Sequence, residues 1–255
     1  MMITKIRRAL EFQKGNRQMV KVVFFDIDNT LYNFNDADRL AMEAMYDYCE
    51  EHFHMDRDKA KSELKRAKDH VFDQLPDRPA MHNRILRYQY FLEENNLPLF
   101  PHTVNMARHY WKTLLDNAKI EPGIEDLMSA IKEKGCKIGI GTNMTSYVQF
   151  LKLEKLKLAE YIDFVVTSEE ADNEKPSEDF FKLVIKKASV NPEEIVFIGD
   201  NPELDAMGSS KCGMNGVLYA PPYLKEPAEI PENGIIRNYA DCITKEGISL
   251  GNIKL

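Results

Sequence analysis

The chain is poor in cysteine and has no spacing that would put cysteine to use. Its 4 cysteines, Cys49, Cys136, Cys212 and Cys242, lie far apart and form no C-x-x-C pair, which excludes a zinc knuckle or a disulfide framework. Long apolar runs are missing too: none approaches the roughly 18 residues that a membrane helix needs. The N-terminal stretch carries Lys5, Arg7, Arg8, Lys14 and Arg17 without the apolar segment of an export signal. Nor is there an excess of positive charge. A formal net charge of -7 gives no overall attraction to nucleic-acid phosphate or anionic lipid. These absences predict a cytoplasmic protein with reduced thiols, a monomer or homodimer whose partner is a small molecule, with neither nucleic acid nor membrane as a partner.

What the chain has is enough length and apolar content, 255 residues at 44% hydrophobic, for one substantial core and a smaller second unit. Val22-Val23-Phe24-Phe25 is a continuous apolar run rich in β-formers, as expected of a strand covered on both faces of a parallel sheet. Similar runs recur at 137–141, 164–167, 195–199 and 216–219, separated by segments such as 124–134 and 179–188 with helical spacing. This alternation predicts an α/β fold, a Rossmann-like doubly wound parallel sheet with right-handed crossovers.

About a hundred residues without a strand pattern separate the first strand from the second. Helices are predicted there at 36–53, 57–73, 79–95 and 102–117, punctuated by Pro76, Pro79, Pro98 and Pro101. We therefore expect an α/β core from residues 19–34 and 119–255, with residues 35–118 inserted as an all-helical cap. The cap would cover the sheet's carboxyl edge, where ligands bind in open α/β folds. Residues 1–18, ahead of Met19, read as an N-terminal extension.

Polar residues collect at the ends of the predicted strands: Asp26-Ile27-Asp28-Asn29-Thr30, Gly141-Thr142-Asn143, Lys175-Pro176, and Gly199-Asp200-Asn201 with Asp205. They would bring carboxylates, a hydroxyl and a lysine around one crevice. That set suits phosphoryl chemistry, because a phosphate dianion repels a carboxylate nucleophile unless cationic groups neutralise both.

In this order the pieces resemble the four signature motifs of the haloacid dehalogenase-like superfamily, over a span from Lys21 to Tyr219. The resemblance implies a Mg²⁺-dependent phosphatase that hydrolyses a small phosphomonoester through an aspartyl-phosphate intermediate. By it, Asp26 is the nucleophile and Asp28 the acid and base in turn. Thr142 and the backbone N–H of Asn143 hold the phosphate oxygens, and Lys175 neutralises charge. Asp26, the Asp28 carbonyl and Asp200 are the metal ligands, with Asp205 steadying Lys175 or a metal-bound water. An aspartate at position 28 favours phosphoryl transfer over the superfamily's dehalogenase chemistry.

The resemblance also implies that the cap reads the leaving group. Asn33 and Asn35 at its entry, and His82, Asn83, Arg84 and Arg87 on its third helix, are the candidates for a polar or anionic leaving group. The string Asp28-Asn29-Thr30-Leu31-Tyr32 is similar to the nucleotidase-type members, which implies a nucleoside monophosphate. A phosphotransferase or phosphomutase, a haloacid dehalogenase and a catalytically silent binding protein are the alternatives. His52 and His54 read as a solvated helix end. Trp111 with Tyr88, Tyr90 and Phe91 reads as helix packing.

Overall fold

Strand β1 (Val22–Phe25) is buried along its whole length, as its uninterrupted apolar run requires. The computed structural model describes residues 19–76 and 78–255, so the extension expected at residues 1–18 lies outside the described residues. After β1 the chain forms α1 (Phe34–Phe53), α2 (Arg57–Gln74), a 3-10 turn (Pro79–His82), α3 (Arg84–Glu94) and α4 (His102–Asn117). Helix α5 (Ile124–Glu133) then leads into β2 (Lys137–Thr142). Beyond it come α6 (Ser146–Leu156), β3 (Phe164–Thr167), α7 (Glu178–Ala188), β4 (Ile195–Gly199), β5 (Asn215–Tyr219) and β6 (Ile235–Ile236).

The strands form one parallel sheet in the order β3-β2-β1-β4-β5-β6. Side chains alternate along β1. Val23 and Phe25 join Ile138, Ile140, Val196, Ile198 and the α5 residues Leu127 and Ile131 on one face. Val22 and Phe24 join Phe180 and Phe181 of α7 and Phe197 on the other. Each fully buried aliphatic or Phe side chain contributes about 1.5–3 kcal/mol of transfer free energy, and both faces are covered, so the doubly wound expectation holds. The chain turns to opposite sides of β1 when it makes β2 and when it makes β4, so the topological switch lies between β1 and β4. Ligands bind outside the strand ends at such a point.

The inserted helices have their own apolar stripe. Ala37, Ala41 and Met45 of α1 recur at helical spacing and pack along Met106, Tyr110 and Leu114 of α4. Phe91 and Tyr88 are buried among them and Trp111 packs against them, as expected, while His52 and His54 are exposed at the end of α1.

One expectation is corrected. The helix expected at 79–95 is divided: Pro79 opens a 3-10 turn that ends at His82, and Asn83 then caps α3 by accepting from the Ile85 amide at 2.9 Å. An Asn side chain that satisfies the first amides of a new helix favours an extended backbone at its own position. Beyond β5 the chain supplies β6 and a small antiparallel sheet of β7 (Ile243–Thr244), β8 (Gly247–Leu250) and β9 (Ile253–Lys254).

Candidate active site

The ends of β1 and β4 meet at the switch point, and the groups expected from the sequence converge there. Asp26 follows β1, and its amide donates to the Ile198 carbonyl at 2.8 Å. The buried Lys175 ammonium lies 2.7 Å from Asp26 Oδ1 and 2.6 Å from Asp205 Oδ1, and donates to the Gly141 carbonyl at 3.1 Å. Asp205 Oδ2 accepts from the Asn201 amide at 3.0 Å. A glycine is needed just before Asp200: a Cβ on Gly199 would sit 2.3 Å from Asp205 Cγ.

These contacts set the charges. Burial pushes the Asp26 carboxyl up to about 6, opposed by Lys175 and reinforced by Asp205 and Asp28. Asp200 is pushed up to about 8, again by burial first, then by Asp205 and Asp26. Burial works against the Lys175 charge, but Asp205 and Asp26 outweigh it and hold the lysine above its ordinary value. Asp26, Asp200 and Asp205 each offer an oxygen within 4.8 Å of the others. Carboxylates that repel one another so closely, with only hard oxygen donors, fit a divalent cation such as Mg²⁺.

Thr142 ends β2. Its hydroxyl accepts from Gln149 Nε2 at 2.7 Å, and the same nitrogen donates to the Asn143 carbonyl at 2.6 Å. Asn143 Oδ1 accepts from the Lys175 amide at 2.9 Å, so this side chain positions the lysine that follows β3.

Asp28 has partners that the sequence reading missed. Lys152 of α6 lies 2.7 Å from both its carboxylate oxygens, and the Tyr32 hydroxyl donates to Oδ1 at 2.7 Å. Lys152 has no solvent exposure, and burial lowers its pKa although Asp28 opposes the shift. An uncompensated buried ammonium costs several kcal/mol, so the ion pair with Asp28 is what allows a lysine here. The signal was in the spacing: Gln149, Lys152, Leu153 and Leu156 share the buried stripe of α6.

Residues of the inserted helices line the same cavity as these groups. This cavity of about 300 Å³ is lined by Asp26, Asp28, Phe34, Thr142, Asn143, Lys175, Asp200 and Asp205 from residues 19–34 and 119–255 and, from the insert, by Asp38, Lys68, Phe72, His82, Arg84 and Arg87. His82 Nε2 lies 3.0 Å from Glu174 Oε1, next to Lys175, without the angle of a hydrogen bond. Arg84 and Arg87 are buried. Asn33, expected to touch the leaving group, instead caps α1 by accepting from the Asp36 amide at 3.0 Å, and is not among the lining residues. Asn35 and Asn83 are outside the lining as well.

The chain is similar to known proteins along most of its length. A family profile described as haloacid dehalogenase-like hydrolase matches residues 23–219. A ribulose-1,5-bisphosphate 5-phosphatase of Halopiger xanaduensis is 30% identical, over 88% of this chain and 94% of its own. A glyceraldehyde 3-phosphate phosphatase of Methanothermobacter thermautotrophicus is 28% identical over 91% and 97%. Among solved structures, YfnB of Bacillus subtilis bound to magnesium shares the fold, with a TM-score of 0.66 at 20% identity over 88% of this chain and 97% of its own.

Proposed function

The chain belongs to the haloacid dehalogenase-like hydrolase family and is a phosphatase within it, and we propose that it is a Mg²⁺-dependent enzyme acting on a short phosphorylated sugar through an aspartyl phosphate on Asp26. The observation that carries this reading is the Lys175 ammonium held between Asp26 and Asp205. It neutralises a buried carboxylate without covering its second oxygen.

Asp26, Asp200 and the Asp28 carbonyl would hold the metal, with Asp205 close by. When bound, the cation supplies the charge that lets a carboxylate approach a phosphate dianion. A carboxylate oxygen of Asp26 attacks phosphorus as the bond to the leaving oxygen breaks, and Asp28 gives that oxygen its proton. Water then loses a proton to Asp28 and attacks the acyl phosphate, which releases inorganic phosphate and restores Asp26. Thr142, oriented by Gln149, and Asn143 hold the non-bridging oxygens. Tyr32 and Lys152 make three contacts with Asp28 and leave a position on Oδ2 that can carry the proton given to the leaving oxygen.

Residues 35–118 act as a cap in this reading, since Asp38, Lys68 and the α3 arginines share the cavity with Asp26. The relatives' substrates are short sugar phosphates by name, and a cavity of about 300 Å³ suits such a compound. The likeness of residues 28–32 to nucleotidases carries less weight, because Tyr32 is buried and its hydroxyl is committed to Asp28. The test is a panel of sugar phosphates and nucleoside monophosphates assayed with Mg²⁺ and with chelator. Chelator-sensitive turnover highest on the sugar phosphates supports the reading; nucleotides as the best substrates would overturn it.

A further inference from the structure

Arg84 and Arg87 are an energetic anomaly. Each residue is more than nine-tenths buried, at 8% and 7% exposure, yet they have a single carboxylate between them. Asp38 lies 3.5 Å from Arg84 Nη2, and it already accepts from the Tyr110 hydroxyl, which in turn accepts from Arg84 Nη2 at 2.5 Å. Arg84 Nε has no hydrogen-bond partner among the described residues. Arg87 donates from Nε and Nη2 to the Met81 carbonyl, at 3.3 and 3.1 Å, and no carboxylate of the described residues lies within ion-pairing distance. A buried cation without a counter-charge is strongly destabilising, so two side by side imply an anion supplied from outside.

On the side away from Asp26 the surroundings have the same sign. Both arginines line the cavity that holds Asp26 and also an adjoining one of about 310 Å³, where Lys61 is added and Asp38 is the lone acid. Lys65, also in this lining, is already paired with Asp69 at 2.5 Å. Lys68 lines both cavities. Asp26, Asp28, Asp200 and Asp205 surround the transferred phosphoryl group in the proposed reaction, so these cations are surplus to it.

We propose that Arg84, Arg87 and Lys68 form a second anion-binding subsite, which takes an anionic group of the substrate other than the phosphoryl group transferred. The substrate is then a short compound with an anion at each end: a bisphosphate, or a phosphorylated acid. This inference rests on the phosphatase reading of the same cavity and narrows its substrate class. A planar guanidinium grips a phosphate or carboxylate through paired N–H donors, and asymmetric charge of this kind both orients the substrate and raises its encounter rate.

The test compares kcat/KM for ribulose 1,5-bisphosphate and phosphoglycolate, each divided by that for p-nitrophenyl phosphate, in the parent and in Lys68→Met, Lys68→Glu and Arg87→Met. Lys68 is exposed, so its variants keep the experiment informative if the buried Arg87 cannot be replaced without unfolding. Loss of one charged contact should lower the ratio by about tenfold or more, and the glutamate should lower it further. A loss confined to the bisphosphate identifies the second anion as phosphoryl; a loss on phosphoglycolate as well extends it to carboxylate. A ratio unchanged within about twofold in Lys68→Glu, with p-nitrophenyl phosphate still hydrolysed, overturns the subsite and leaves the phosphatase reading standing. Binding of the bisphosphate to Asp26→Asn, measured by calorimetry, reads the subsite without turnover: adding Lys68→Glu should weaken it by about tenfold or more, and unchanged affinity overturns the proposal whatever the reaction proves to be.

Discussion

Lys152 has no exposed surface and sets its ammonium 2.7 Å from each carboxylate oxygen of Asp28, a residue 124 positions away in the chain. In the proposed reaction the pair orients the group that gives the leaving oxygen its proton, and it links α6 to the loop after β1.

Replacing Lys152 with Met should therefore lower kcat by about tenfold to a hundredfold on an alkyl phosphate, because a misdirected Asp28 protonates the leaving oxygen poorly. The loss should be smaller on p-nitrophenyl phosphate, whose leaving group needs little protonation. Steady-state rates on both esters check this; equal losses on both would mean that Lys152 serves packing alone.

The carboxylates predict how stability depends on pH. Folded Asp26 and Asp200 have pKa values of about 6 and about 8, raised from 3.8, so between those limits the folded protein holds protons that the unfolded chain has released. Stability is then highest at low pH and falls as pH rises through about 6 and about 8. In the proposed reading Mg²⁺ would reverse the penalty by pairing with the ionised carboxylates. Melting of the metal-free protein should drop between pH 6 and pH 8.5, and millimolar Mg²⁺ should raise the midpoint more at the higher pH. An equal Mg²⁺ effect at both pH values would contradict the assignment.

Gly199→Ala should separate Asp205 from Lys175. The added Cβ would lie 2.3 Å from Asp205 Cγ, and overpacking of this kind costs about 1–3 kcal/mol. We expect a lower melting midpoint together with at least tenfold lower turnover, about the effect of losing one charged contact. Full activity would show that Asp205 need not hold Lys175.

Much of this was readable in the residues because strands covered on both faces leave uninterrupted apolar runs, which made Asp26 and Asp200 recognisable as strand-end groups. Helix boundaries marked by proline or by a capping Asn or Asp were nearly as plain, and the break at Asn83 was missed because helical spacing runs on either side of it. The strands β7 to β9 have 2 to 4 residues each, too few for a period to register. Lys152 was legible only through its place on the buried stripe of α6, and the burial of Arg84, a candidate for its charge, was not legible, since nothing local announces that a cation's neighbours are aromatic and buried. Arg84 lies 4.2 Å from the Tyr110 ring centroid, and that tyrosine is 26 residues away.

The claim on which everything else depends is that Asp26 is the nucleophile, and Asp26→Asn tests it most directly. The amide keeps the size of the side chain but cannot form the acyl phosphate. Turnover of the best phosphomonoester with Mg²⁺ should fall by about a thousandfold or more, with circular dichroism and melting showing an intact fold. Turnover within about tenfold of the parent would contradict the account.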